Sequence, residues 1–385
     1  MSKTPSIAVI PSGYKASKVY SVLPTNGDAD LDFTRDCVAT RVNQNGLLEE
    51  VGLNVPRLDY SDGGCPSLLL EPNRTNLVIE SANFSAWSNY GSETSIVLDS
   101  SKLNIDGNLG VYKVTSLSGQ GRTGFTQSVT PNTQYTLSFY VESVNVSDVD
   151  ILINNSDIAG TIYNYTSELI NNQFVRVVIT FNTLLETTSS IQFTRNLAIG
   201  ESLYFSSIQL EEGSYATSYI PTSGTEVTRF KDEASKDNLE SYINSSEGVL
   251  YFEMSAFINT NPNRAITFSD GTPDNRIMIY YRYIENTLGI LYEVNNEPPV
   301  VSSAVLSNIT DFKKFALVYN STNFRLFLDG SEFITINSSP NFNTNTLNRL
   351  SFDSGSGTSK FEGKIKDLRV YNEALTDAEL IELTQ

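Results

Sequence analysis

Apolar and polar positions follow a short period along most of this chain. QYTLSFYVES and QFVRVVITFNT place apolar residues at alternate positions or in brief unbroken runs, the pattern of strands covered on one or both faces. Over residues 76–222 the same signal recurs in NLGVYKVTS, GRTGFTQSVT, DVDILINN, SSIQFTRNL and ESLYFSSIQLEEG, with turns such as TPNTQ, NNSD and AIGES between them. Strands at this spacing predict an antiparallel sandwich. Residues 246–385 return to strands in GVLYFEMSAFI, AITFSD, RIMIYYRYI, LGILYEV, KKFALVYN, FRLFLDG, EFITIN, RLSFDS and KIKDLRVYN. SDGTPDN and LDGSE read as the turns joining some of them.

Three stretches break the pattern. Residues 223–245, within TSGTEVTRFKDEASKDNLESYINSS, are polar and charged, and predict a linker with a short helix. In ALTDAELIELTQ the period lengthens. Thr376 is a suitable N-cap with Glu379 three residues on, a capping box, and Leu375, Leu380 and Leu383 would pin that helix to the sandwich. Residues 1–75 are dense in Pro and Gly and hold only short strand-like pieces, SIAVI, KVYSVL, ATRV and SLLLE. Such pieces bury too little area alone. They predict an extended segment that packs on something else.

Composition narrows the function. The 385 residues contain no histidine, which removes Ser-His-Asp and Cys-His nucleophile systems and His-ligated zinc or haem. The net charge of −18 argues against a nucleic-acid partner, because a phosphate backbone needs a basic footprint, and against anionic membrane surfaces. No apolar stretch approaches the ~18–20 residues that span a bilayer, so membrane insertion is not expected. The N-terminus lacks a continuous apolar run and does not read as a secretory signal. Cys37 and Cys65 cannot form a disulfide framework. A single disulfide, a metal pair and buried free thiols stay open, buried thiols being the simplest. The Asn-X-Ser/Thr triplets reflect a surface rich in Ser, Thr and Asn.

Two segments carry a family resemblance. ATRVNQNGLLEEVGLNVPRLDYSDGGCPSLLLEPNRTNLVIESANFSAWS (Ala39–Ser88) resembles a block of bacteriophage structural proteins, including fibre-like and minor virion proteins. Its marks are Thr40–Glu49, Asn54–Tyr60, Gly63–Pro72 and Thr75–Leu77. FEGKIKDLRVYNEALTDAELIEL (Phe361–Leu383), with the upstream FKKFALVYNSTNFRLFLDGSEF (Phe312–Phe333), resembles laminin-G-like, concanavalin-A-like domains. SLYFSSIQLEEGSYATSYIPTSG (Ser202–Gly224) resembles the end of carbohydrate-binding-module jelly rolls.

The expected architecture is therefore all-β. An irregular N-terminal segment (1–75) precedes a jelly roll (76–222), a linker (223–245) and a concanavalin-A/laminin-G-like sandwich (246–385). The resemblance implies a virion protein made in the host bacterial cytoplasm, attached to other virion proteins through residues 1–75. It implies an exposed fibre or spike that binds host surface polysaccharide, and a homo-oligomer, a trimer in many fibres. A head, collar or tail decoration protein without a ligand is the alternative.

Laminin-G-like domains often carry calcium on the rim. Asp270, Asp274, Asp329 and Asp353 are the candidate ligands, although turn-forming Asp explains them more simply. No other cofactor is expected. Some concanavalin-A-like folds are glycoside hydrolases, which need two carboxylates flanking the bond. Glu247, Glu253, Glu285 and Glu293 stand apart in the sequence, and no catalytic residue is expected. Sugar binding by aromatic stacking points to Trp87 with Tyr90, and to Tyr281 with Tyr283, which would share a strand face. Core filling is the competing account of these rings.

Overall fold

A computed structural model describes residues 3–89, 92–119, 121–155 and 160–385. It is all-β, two antiparallel sandwiches in tandem with one C-terminal helix. No helix is long and apolar enough to cross a membrane among the described residues.

The first sandwich is the jelly roll. One five-stranded sheet runs in the order Thr94–Leu103, Leu109–Ser116, Ser202–Glu212, Gln134–Ser143, Val175–Asn182. The other runs Ser88–Asn89, Thr123–Ser128, Thr188–Arg195, Asp150–Asn155, Thr161–Asn164. The alternation seen in the sequence becomes register here. Leu137 sits opposite Ile179 on one side and Leu210 on the other. Leu137, Phe139 and Val141 face Ile151, Ile191 and Phe193 across a closed core. Each such side chain contributes roughly 1.5–3 kcal/mol on burial.

The second sandwich is larger and is not built from residues 246–385 alone. In one sheet the strands Gly248–Ala256 and Gly363–Tyr371 lie side by side. The far edge of Gly363–Tyr371 is then completed by Ser67–Leu70 on its first half and Ile7–Val9 on its second. Arg57–Asp59 extends the sheet outward from Ser67–Leu70. In the facing sheet, Leu31–Thr34 pairs with Glu233–Lys236, which pairs with Arg349–Ser351. Val9, Leu31, Phe33, Leu68 and Leu70 share one core with Phe252, Phe315, Leu317 and Val370. Residues 1–75 thus pack on something else, and that partner is the chain's own C-terminal half.

The linker departs from the expected short helix. Its apolar residues are too few for a helical stripe, and it forms strands at Val227–Arg229 and Glu233–Lys236 instead. The C-terminal helix, Asp377–Thr384, carries the capping box of Thr376 and Glu379. Leu375 and Leu380 are buried against Tyr251, Val318 and Phe327, with Leu383 partly buried beside them. Cys37 is partly buried and Cys65 exposed, both as free thiols. The expectation of two buried thiols therefore fails for Cys65, which lies in the open turn before Ser67–Leu70.

Candidate functional site

Where the two sandwiches meet, a cluster of charged side chains is buried. Arg35, Arg57, Arg229, Glu71 and Asp232 all lie within 4% exposure. Arg57 forks between Glu71 and Asp232. Asp232 also holds Arg35 at 3.2 Å, and Glu71 holds Arg229. The Ser218 backbone N–H and hydroxyl both donate to Glu71 at 2.7 Å. Burial opposes the charge on Glu71, but the guanidinium groups of Arg229 and Arg57 outweigh it and hold the carboxyl well below the usual range. For Arg57 burial likewise acts downward, and Asp232 and Glu71 overcome it, so its pKa lies above the ordinary value. One network therefore ties together residues 35–71, the end of the jelly roll and the linker.

Beside this cluster opens a cleft of about 500 Å³, within the usual range for small-molecule sites. Its near wall is the hairpin Ala39–Val42 and Leu48–Val51. Gly46 turns that hairpin at a φ of +76°, in the left-handed region that favours glycine. The hairpin reaches across to the jelly roll. Leu48 N–H donates to Ile105 O at 3.0 Å, the Thr40 hydroxyl donates to Tyr219 O at 2.5 Å, and Leu48 packs on Tyr140 and Tyr219.

Aromatic and charged groups line the cleft together. Tyr60 and Phe174 are half-buried, and Phe257 arrives from the C-terminal sandwich, stacked on Tyr215 at 5.5 Å. Burial raises the phenols of Tyr140 and Tyr219, the latter to about 12, and the Tyr219 hydroxyl is already bonded to the Ser81 hydroxyl at 2.6 Å. Asp59 accepts from Val42 N–H at 2.9 Å and faces Lys364 at 3.2 Å. Lys364 also reaches Asp62 at 2.7 Å. Arg41 pairs with Glu49 at 3.0 Å. Arg176 lies over the Tyr140 ring at 5.7 Å. A shallower trough continues from the cleft past Gly46, Ile105 and Phe174 towards Asn45, Lys102, Asn104 and Glu142.

The sugar-stacking residues expected from sequence sit elsewhere. Trp87 is only 8% exposed, stacked on Phe193 at 4.8 Å and packed against Phe84 and Phe125 inside the jelly roll. It is a core residue, because its indole fills the gap between the two sheets. Tyr90 lies outside the described residues. Tyr281 is fully buried, its ring near Phe315 and Phe361 and beneath Arg264. The strand ends at Tyr281, so Tyr283 does not share its face. Tyr283 stands 53% exposed in the following turn. Tyr280 is spent on packing, since its ring covers Gly289 on the next strand, where a Cβ would approach to 2.6 Å.

The four loop aspartates are not brought together either. Asp270 caps its own turn, accepting from Thr272 N–H and Asn275 Nδ2 at 2.9 Å. Asp274 belongs to the same turn, where its carbonyl accepts from Asn296. Asp329 turns the hairpin between Phe324–Leu328 and Ser331–Ile336 and pairs with Lys313 at 3.2 Å. Asp353 accepts from Gly355 N–H at 2.7 Å and pairs with Lys360 at 3.1 Å. Among the described residues no three or more His, Cys, Asp or Glu side chains form a metal-holding group. Local donors hold the carboxylates of Asp270, Asp329 and Asp353, and Asp274 takes part through its backbone, which is the turn-forming role.

Sequence reasoning singled out none of the cleft's side chains. Two signals were present. Tyr60 ends the dense block NVPRLDY, and Arg176 interrupts the apolar strand FVRVVITF.

Residues 252–381 match the family model described as the Concanavalin A-like lectin/glucanases superfamily. No curated protein matches the chain. Similar solved structures include a carbohydrate-binding module of the Ruminococcus gnavus IT-sialidase bound to α2,3-sialyllactose (18% identity, TM-score 0.31, 36% of this chain and 83% of that one). Another is domain 4 of the Geobacillus stearothermophilus arabinanase AbnA with arabinotriose (14%, 0.35, 45% and 81%). A third is the xylan-binding CBM22-1 domain of Paenibacillus barcinonensis Xyn10C (11%, 0.28, 37% and 94%). Each is a likeness over less than half of the chain. The chain is all-β with a C-terminal concanavalin-A-like sandwich, and its second half is similar to that superfamily over residues 252–381.

Proposed function

We propose that this protein is a non-catalytic glycan-binding protein whose site is the cleft between the two sandwiches. The observation that carries the reading is the lining itself. The half-buried rings of Tyr60 and Phe174 stand beside donors and acceptors held in place by their neighbours. Sugar rings present apolar C–H faces and polar rims, and such a lining suits both. The trough that continues past Phe174 suits an oligosaccharide rather than a single sugar. The match of residues 252–381 to a lectin-containing superfamily supports the same reading.

A hydrolase is less well supported. The two cleft carboxylates, Asp59 and Glu71, are each held by cations and by backbone donors. Neither is placed as a free acid or base. The resemblance of Ala39–Ser88 to phage structural proteins adds a setting, an exposed virion fibre or spike meeting the bacterial surface. In that setting the −18 charge limits non-specific adhesion to an anionic envelope.

The test is binding of the full chain to a panel of bacterial surface polysaccharides, with Tyr60→Ala and Phe174→Ala alongside. Saturable binding weakened by both substitutions is expected. Binding that both variants retain would move the site elsewhere. No binding across the panel would favour a virion decoration protein without a ligand. Release of reducing ends would overturn the non-catalytic reading.

A further inference from the structure

The cleft's cations differ in how they are paired. Arg41 is matched by Glu49, and Lys364 by Asp59 and Asp62. Arg176 has no carboxylate within ion-pair distance among the described residues. Both of its hydrogen bonds leave from Nη2, to the Ser138 hydroxyl at 2.9 Å and Thr217 O at 2.5 Å, and both acceptors are neutral. Its Nε is buried without an acceptor, as it is in several other arginines, and lies out of a ligand's reach; neither hydrogen bond uses Nη1, which is the nitrogen left to a ligand. The chain's net charge is −18, yet this guanidinium in the cleft has no carboxylate partner among the described residues. The Tyr140 ring lies 5.7 Å from it, within cation–π distance.

We propose that Arg176 is a specificity residue for an anionic saccharide, whose charged substituent, a carboxylate or a phosphate, takes the donors that the protein leaves open. The proposal rests on the cleft being the glycan site. A planar guanidinium with free N–H groups suits either oxyanion, and a ligand of that charge would complete the pairing that the protein itself lacks.

The experiment uses the full chain and matched polymers. Polygalacturonate and alginate are compared with their methyl esters, a polyglycerol phosphate polymer serves as the phosphate arm, and dextran is the neutral control. Arg176→Gln and Arg176→Lys are measured with the wild type, and thermal melts establish that both variants are folded. Expected is binding to a carboxylated polymer that esterification abolishes, or binding to the phosphate polymer, and in either case a fall in affinity as salt rises. Arg176→Gln should lower that affinity about tenfold to a hundredfold, with Arg176→Lys between it and wild type.

Equal binding to a polymer and its methyl ester would overturn the proposal. So would a folded Arg176→Gln with unchanged affinity. Binding confined to the neutral polymer and lost in Tyr60→Ala would keep the cleft as a glycan site and refute the anionic ligand. Binding to none of these polymers, charged or neutral, would refute the anionic ligand, and the bacterial polysaccharide panel with Tyr60→Ala then decides separately whether the cleft binds a glycan.

Discussion

The jelly roll closes on one continuous stretch of chain, whereas the C-terminal sandwich recruits strands from both ends of the sequence. In the first, Leu137 finds its partners Ile179 and Leu210 within residues 76–222. In the second, the edge of Gly363–Tyr371 is covered by strands more than 290 residues away, and Phe33 lies in the same core as Phe315. The difference shows what the N-terminal segment does in the fold. It completes one sandwich, and its hairpin Ala39–Val51 then reaches the other. The cleft exists because that bridge leaves a gap beside the buried ion cluster.

Removing residues 1–75 is the most severe way to break the comparison. A fragment spanning residues 246–385 is expected to stay unfolded by circular dichroism and amide exchange, whereas residues 74–230 fold cooperatively. A cooperative melt from 246–385 alone would contradict the strand-completion account.

Next in size are single substitutions in the two regions. Glu71→Gln leaves Arg57 and Arg229 buried without that partner, and breaking such a pair costs ~3–5 kcal/mol. Trp87→Ala empties the jelly-roll core at a similar cost, ~3–5 kcal/mol. The two should differ in reach. Glu71→Gln is expected to lower the urea midpoints of both sandwiches, and Trp87→Ala only that of the jelly roll, as read by exchange at Leu137 and Leu317. Loss of saccharide binding in a folded Trp87→Ala protein would restore the tryptophan to the site.

The pH dependence has a fixed sign. The folded Glu71 carboxyl lies below its unfolded value of about 4.3. Its contribution is full above that value and is lost as pH falls through the folded one. The wild-type urea midpoint should therefore fall between about pH 5 and about pH 3, and Glu71→Gln should remove part of that fall. An unchanged slope would mean that Glu71 is not held as the network requires.

The smallest effects lie at the surface. Thr376→Ala removes the capping box and should cost ~1 kcal/mol. Tyr283→Ala, in an exposed turn, should change stability by less than about 0.5 kcal/mol.

Much of the architecture was legible because strands announce themselves locally. The alternation of TLSFYVES and the Thr376–Glu379 spacing each encode a nearest-neighbour rule, and both sandwiches and the helix follow. The pairing of Ile7–Val9 with Leu368–Val370 was not legible, because no local period marks a strand's distant partner. The site was harder still. Trp87 and Tyr281 have the chemistry of a sugar platform, but a ring that suits a pyranose also suits a core. Only burial separates the two uses. Arg176 was passed over as one charge in an apolar strand, and its lack of a carboxylate partner among the described residues is a property of the assembled cleft.

The most direct measurement is amide hydrogen exchange of the full chain with and without a saturating polysaccharide from the panel. The account predicts added protection around Thr40–Leu48, Asp59–Gly63, Phe174–Arg176 and Ala216–Tyr219, with the strands Arg276–Tyr281 and Val300–Val305 unchanged. Protection confined to those two strands, or to the turn holding Tyr283, would contradict a binding site between the sandwiches.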